Sequence, residues 1–307
     1  MKRPVYNAIH SLIHNPKHFL AALINRFGAC VPDKIYLSWI YYLECGHRLN
    51  LENPQRYNEK LQWLKLYYRN SLWTQLVDKY RVKELVRESI GEEYVVPCYG
   101  VWNRAEDIDW DKLPDKFVLK TNHDSGNNGV FICRDKAKID KVQWTKKINA
   151  SLERDTSIQG REWPYRDVKR CVFAEKFLED ATGELRDYKF FCFDGKVKYL
   201  FIATERQSGG EVKFNYFDAD FNDLGIVQHH PLSDKKIEKP DTFEQMKELA
   251  AKLSKGLPEV RVDLYEVDGK IYFGEYTFFH HGGVVPFHPD KWDIVFGQNI
   301  ILPKRNV

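Results

Sequence analysis

The spacing of apolar and polar positions switches between helical and strand periods several times along this chain. Residues 1 to 75 follow a helical rhythm, with Ile9, Leu12 and Ile13, then Phe19, Leu20 and Leu23, three and four apart. Asn53-Pro54 marks the start of a helix over YNEKLQWLKLYY. A further helix, DKYRVKELVRESIG from Asp78, is expected to stop at Gly91. The period then shortens to that of strands: 94–97, 99–102, FVLKT (117–121) and VFICR (130–134). Residues 136–160 are charged and read as helical, and CVFAEKFLED (171–180) as a strand. LRDYKFFCFDGKVKYLFIATER (185–206) predicts two strands around Asp194-Gly195. Residues 211–240 read as loop-rich. FEQMKELAAKLSKG (243–256) returns to the helical period, with Met246, Leu249, Ala250 and Leu253 on one side. A last strand pair surrounds Asp268-Gly269, and the tail reads as irregular. Helices first, a small α/β part next and a larger antiparallel sheet last make an α+β chain, with a cleft expected between two sheets.

The last strand pair, VRVDLYEVDGKIYFGEYTFFHHGG (260–283), carries the most chemistry. Asp263 sits among Val260, Val262 and Leu264, and Glu275 among Ile271, Phe273 and Phe278. A carboxylate in such a strand is costly to bury without a partner, and two on neighbouring strands repel unless a cation lies between them. Side chains alternate along a strand, so register decides whether the two meet. A three-residue loop of Val267, Asp268 and left-handed Gly269 places Asp263 diagonal to Glu275 on one face, and this is the register expected. The pair then reads either as a hard-cation site for Mg²⁺ or as two acids each held by an Arg or Lys such as Arg261.

Lys120 lies on an apolar strand just before NHDSGNNGV, a loop with Gly126 and Gly129 at its bends. Glycine-rich backbone beside a lysine reads as a phosphate clamp or as a polar hairpin turn with a snorkelling lysine. It is not a P-loop, since G-K-[ST] is missing. Asp187 and Lys189 lie two apart and share a strand face. His280 and His281 follow the second acid strand and read as exposed loop residues.

Composition narrows the options. With 47 basic and 44 acidic residues the net charge of +3 gives no reason to expect nucleic acid. Six cysteines without C-x-x-C spacing read as reduced thiols, and the chain as cytoplasmic. The apolar run 19–24 is too short for a signal peptide, and no stretch of about 20 apolar residues is present to cross a bilayer. The first fifty residues combine few acids with many aromatics, so they read as a helical extension packed on the body or as a segment resting on the inner face of a membrane.

NPQRYNEKLQWLKLY, DKYRVKELV, LPDKFVLKTNHDSG, REWPYRDVK, AEKFLED, DYKFFCFDGK and RVDLYEVDGKIYFGEYTF, in that order, resemble the ATP-grasp superfamily, and most closely its TupA-like family of bacterial surface polysaccharide biosynthesis. The resemblance runs from about residue 34 to 302. It implies an ATP-grasp fold: two α+β subdomains clamping a nucleotide, here divided as an N-terminal helical extension (1–75), a first subdomain with a lid loop (76–170) and a second with the metal hairpin (171–307). It implies an ATP- and Mg²⁺-dependent carboxylate–amine ligase working through an acylphosphate. It also implies roles. Lys120, Lys189 and Arg206 are the catalytic candidates. Lys79 (with Lys83 as rival), Lys120, Ser125, Gly126, Gly129 and Asp187 would face the nucleotide phosphates. Glu175, Lys176, Phe177 and Leu178 match the hinge that meets adenine, and Asp263, Glu275 and Thr277 the metal ligands. Thr277 stands where many ATP-grasp enzymes have Asn. The expected partners are a carboxylate-bearing glycan precursor and an amine. Arg161, Trp163, Tyr165 and Arg166 are candidates for acceptor recognition. A competing reading, a glycosyltransferase using a nucleotide sugar, rests on Asp218-Ala219-Asp220 as a D-x-D metal motif.

Overall fold

The computed structural model describes residues 16–124, 128–179, 185–205 and 211–307. Two antiparallel sheets organise it. The smaller has the order β1-β4-β2-β3, built from Cys98–Trp102 (β1), Phe117–Thr121 (β2), Val130–Cys133 (β3) and Val172–Lys176 (β4). The larger has the order β7-β6-β5-β8-β9, built from Arg186–Phe193 (β5), Lys196–Thr204 (β6), Lys213–Asp218 (β7), Val260–Val267 (β8) and Lys270–Thr277 (β9). Strand β4 pairs with β1 and β2, so it belongs to the smaller sheet and not with residues 177–307, where the sequence reading put it. Four of its five residues are buried, so no alternation assigns it to either sheet and only pairing decides.

The helices divide between three cores. The largest core packs Tyr57, Leu61, Leu64, Trp73, Val82 and Val86 with Phe190, Phe191, Val262 and Met246. Helices Tyr57–Tyr67 (α3) and Ser71–Val77 (α4) therefore lie within the body rather than on it. A second core, between the smaller sheet and helix Lys141–Glu153 (α6), joins Phe117, Leu119, Val172 and Ile148. Helices Pro16–Phe27 (α1) and Asp33–Cys45 (α2) share a small third core of Ala21, Tyr36, Leu37 and Ile40. Helix Val82–Ile90 (α5) starts four residues later than the pattern suggests, because the Asp78 carboxylate accepts from the N–H groups of Tyr80 and Arg81 and holds a turn there. Two further elements escaped the sequence pattern. Strand β7 is buried across most of its length and so shows no alternation, and helix Lys291–Gly297 (α8) is too short for a period to register. The expected strand at 94–97 is instead a helical turn, Glu92–Tyr94, leading into β1.

The hairpin register differs from the expected one. Val267 pairs with Lys270, so the loop is two residues, Asp268 and Gly269, both with positive φ (49° and 78°). This is the turn Asp-Gly favours most, because its twist matches that of the strands. Alone it would set Gly274 opposite Asp263 and send Glu275 to the other face. An extra residue in β9 prevents this. Leu264 pairs with Phe273, but Asp263 pairs with Glu275, and Gly274 is the bulge between them. A Cβ at Gly274 would lie 3.0 Å from the Asp263 carbonyl oxygen and 3.1 Å from the Tyr265 ring, so the bulge needs glycine. The two acids are directly opposed rather than diagonal.

Candidate active site

Alternation puts Arg261 and Asp263 on one face of β8. Arg261 grips Asp263 with two hydrogen bonds, Nε to Oδ1 and Nη2 to Oδ2, each 2.7 Å. The same Nη2 donates to Thr277 Oγ1 at 2.9 Å, and Nη1 lies 2.7 Å from His280 Nδ1. An arginine can only donate, so His280 Nδ1 accepts and the ring proton sits on Nε2, 3.0 Å from Gln228 Oε1. His280 is fully buried, contrary to the exposed reading; burial first, then the neighbouring His281 and Arg261 charges, hold its pKa well below the usual imidazole value. Thr277, the candidate metal ligand, is thus placed on the guanidinium.

From β5, Lys189 stands opposite Asp263 and contacts its Oδ2. It also lies 2.6 Å from Asp187 Oδ2. Burial lowers the Lys189 pKa, but Asp187 and Asp263 outweigh it and the net direction is up. Glu275 has one oxygen 3.0 Å from Lys79 Nζ and the other 3.7 Å from Arg261. Burial opposes ionisation of Glu275, yet Lys79, Lys189 and Arg261 hold its pKa far below the ordinary carboxylate range. Lys79 is itself oriented across the cleft: its backbone N–H donates to Asn122 O and its Nζ to Asp124 O, just past β2.

The smaller sheet supplies the opposite wall. Glu175 on β4 is buried and ion-paired with Lys120 at 2.7 Å and Lys83 at 2.5 Å. Lys83 also donates to Val96 O, so of the two rival lysines it is Lys79 that reaches the acid pair. Burial alone would lower the Lys120 pKa, but Glu175 raises it above the usual ammonium value; burial of Glu175 is likewise outweighed by Lys120 and Lys83, which lower its pKa. Five cations, Lys79, Lys83, Lys120, Lys189 and Arg261, thus face four carboxylates, Asp187, Asp263, Glu275 and Glu175.

Past β4, the Lys176 N–H donates to Pro97 O, Leu178 is buried, and Phe177 lies under the Arg134 guanidinium at 4.9 Å. Gly129 accepts from Thr121 N, and a Cβ there would strike Thr121 Oγ1 at 2.3 Å. Ser125, Gly126 and Arg206 lie outside the described residues. A cavity of about 320 Å³ opens beside the lysine-bearing loop, lined by Asp124, Asn128, Arg154, Thr156, Glu162 and Tyr165 among others. It is linked to the acid pair through Asp124, whose carbonyl accepts from Lys79 Nζ, the group paired with Glu275. Of the four expected recognition residues only Tyr165 lines it; Arg161, Trp163 and Arg166 do not. Arg161 is buried, donating to Gly28 O, Val31 O and Ile158 O, and Trp163 stacks on Trp73 in the core.

Sequence reasoning named Arg261 only as a possible partner of the acids; the structure pairs it with Asp263 at the centre of the site. Its signal was present in V-R-V-D, where a second charge two residues before the acid shares its face. Among the described residues no three His, Cys, Asp or Glu side chains are grouped to hold a metal ion by themselves. Asp263 and Glu275 nonetheless offer opposed carboxylate oxygens of the hard kind Mg²⁺ prefers, in the number it takes when phosphate oxygens and water complete its shell. In this structure Arg261 engages both Asp263 oxygens and Lys189 one of them, so an ion held there would take over contacts these cations now make. Asp218, by contrast, spends its carboxylate on a turn, accepting from Asp220 N, Asn222 N and Asn222 Nδ2 at 2.9 Å each.

A family profile described as TupA-like ATPgrasp matches residues 59–301. The chain belongs to the TupA-like ATP-grasp family. Solved structures similar to this ATP-grasp chain include a D-alanine–D-alanine ligase from Bacillus anthracis complexed with ATP, at 18% identity and TM-score 0.39, covering 66% of this chain and 54% of that one. Another is the D-alanine–D-alanine ligase of Helicobacter pylori, at 13% identity and TM-score 0.44, covering 81% and 70%. A third is the ATP-grasp ligase PsnB complexed with a minimal precursor, Mg and ADP, at 12% identity and TM-score 0.40, covering 89% and 65%. The chain spans little more than half the length of the first of these. No curated protein matches it by sequence. No helix among the described residues is long and apolar enough to cross a membrane.

Proposed function

We propose that the protein is an ATP-dependent carboxylate–amine ligase that modifies a carboxylate-bearing sugar or precursor of a bacterial surface polysaccharide, in the cytoplasm. The observation that carries this reading is the meeting of Asp263 and Glu275, from adjacent strands, with Lys79, Lys120 and Lys189 at one cleft between the sheets. Phosphoryl transfer needs placement and charge neutralisation more than covalent help. Each of these lysines is ion-paired with a carboxylate in the structure, ready to exchange that partner for a phosphate oxygen. Asp263 and Glu275 would hold Mg²⁺, which supplies neutralisation of the triphosphate. Arg261 fixes the Asp263 carboxylate in plane and, through Thr277 and His280, ties it to the end of β9. Gly129 keeps the base of the lid loop close to β2. The carboxylate substrate attacks the γ-phosphorus; the bond to the ADP oxygen breaks and an acylphosphate forms. The amine nitrogen then attacks the acyl carbon, the C–N bond forms, and phosphate leaves with the C–O electron pair while the amine gives up a proton. The cavity at Glu162 and Tyr165 is the room for these acceptors beside the acid pair.

The reading is tested by ADP and phosphate release across a screen of carboxylates and amines. Release that requires both co-substrates, and is lost in Lys120→Ala, supports ligation. Release of ADP without phosphate, in the presence of a hydroxyl acceptor alone, would make the protein a kinase. Thermal stabilisation by UDP-sugars but not by Mg·ATP would favour the glycosyltransferase, whose D-x-D motif is occupied in a turn.

A further inference from the structure

Helices α1 and α2 form an antiparallel pair with two unlike sides. Lys17 lies over the ring of Tyr42, and Tyr36 donates to Asn25, so the start of α1 meets the end of α2. The inner side is accounted for by the small core of Ala21, Tyr36, Leu37 and Ile40. Arg161 fastens the turn between the helices to the body through Gly28 O, Val31 O and Asp33. The outer side is apolar and exposed. On α1, Leu20, Leu23 and Phe27 recur at helical spacing, and Phe27 is 72% exposed. On α2, Ile35, Trp39 and Tyr42 do the same, and Trp39 is 50% exposed. The antiparallel arrangement sets Leu20 near Trp39 and Phe27 toward Ile35, so the two stripes make one patch. A contiguous apolar patch of six large side chains calls for a partner surface.

The charges around it say which surface. Lys17, Arg26 and Lys34 are exposed at its rim. Of the acids on the two helices, Asp33 is neutralised by Arg161 at 2.9 Å, and Glu44 also has a partner. A ring of unopposed cations around leucine, phenylalanine, tryptophan and tyrosine matches the layered chemistry of a lipid headgroup region, with phosphates outside and acyl chains beneath. We propose that this helical pair docks the protein on an anionic membrane surface, Leu20, Phe27 and Trp39 entering the acyl boundary and Lys17, Arg26 and Lys34 meeting lipid phosphates. The patch stands apart from the cleft and is independent of the ligase reading.

The test is co-sedimentation of the full chain with vesicles of phosphatidylcholine alone or mixed with phosphatidylglycerol, beside its sedimentation velocity without lipid. The wild-type chain is expected to bind the mixed vesicles strongly, the neutral ones weakly, and to run as a species in which this patch is free. Lys17→Gln with Arg26→Gln and Lys34→Gln is expected to weaken binding about a hundredfold, at about fivefold per cation. Leu20→Asp with Trp39→Asp is expected to abolish it while leaving the thermal midpoint unchanged, since both side chains are exposed. Equal binding by these variants, or no binding by the wild type, overturns the proposal. So does self-association that Leu20→Asp with Trp39→Asp disrupts, because the patch would then be covered by a second copy.

Discussion

The two long hairpins of the larger sheet are built to one plan and used differently. Both turn on Asp-Gly with positive φ at each residue, Asp194-Gly195 in β5–β6 and Asp268-Gly269 in β8–β9. Both carry one extra residue on the second strand. In β5–β6 it is Lys198, exposed, two pairs from the turn. In β8–β9 it is Gly274, four pairs from the turn and against the Asp263 carbonyl. The bulge at Lys198 adds twist and shifts the face of the later β6 residues, but it brings no pair of acids together. A bulge at Gly274 decides which face Glu275 occupies, and so whether two acids can share a cation. The comparison teaches that a site can depend on a residue with no chemistry of its own.

The largest effects should come from the groups that the second hairpin aligns. Glu275→Gln is expected to abolish ATP-dependent phosphate release, while Asp218→Asn and Asp220→Asn leave it intact; the reverse pattern in the same assay sinks the ligase reading. Arg261→Ala strands Asp263 and His280, and is expected to cost about 3–5 kcal/mol as well as turnover; urea midpoints measure the first.

Next comes the bulge itself. Gly274→Val forces a Cβ into the Asp263 carbonyl, so activity should fall at least as far as in Asp263→Asn. Deleting Gly274 leaves Glu275 opposite Asp263 and every later pair in step, so the deletion should be the milder change. Should the valine variant retain more activity than the deletion, the register argument fails. Changing Lys198 to Gly in the first hairpin should move neither turnover nor the melting midpoint.

A smaller effect concerns pH. The folded pKa of His280 is depressed, so the unfolded chain takes up a proton that the native ring refuses, and stability falls as pH drops below about 6.5. The folded pKa values of Glu175 and Glu275 are also depressed; their contribution is present above the unfolded carboxylate value and is lost as pH falls from there through the folded values. Denaturant midpoints should therefore decline in two stages on acidification. His280→Gln reduces the first stage, to which His281, His123 and His230 also contribute because their folded pKa values are lowered too, and Glu175→Gln reduces the second.

Much of this was readable from residue order. Asp-Gly between alternating strands located both hairpins, and V-R-V-D and F-G-E-Y-T placed acids on them. The lysine on FVLKT and the glycine loop after it marked the facing wall. What escaped reading shares a cause. Strand β7 is buried across most of its length, where alternation vanishes, and the pairing of Glu175 with Lys120 and Lys83 joins residues far apart in sequence. His280 looked like a loop residue because its partners, Arg261 and Gln228, are 19 and 52 residues away in sequence.

The sequence by itself determined the α+β character and the two Asp-Gly turns, because turn chemistry and side-chain periodicity are local, and its ordered motifs carried the family resemblance. Only the tertiary structure decided that β4 joins the smaller sheet, that Arg261 rather than solvent holds Asp263, and that Glu275 faces it. Those outcomes depend on strand pairing and on Gly274 being bulged out of the ladder rather than paired with Asp263. Pairing is chosen by the burial and hydrogen bonding of the whole sheet, not by the few residues that meet.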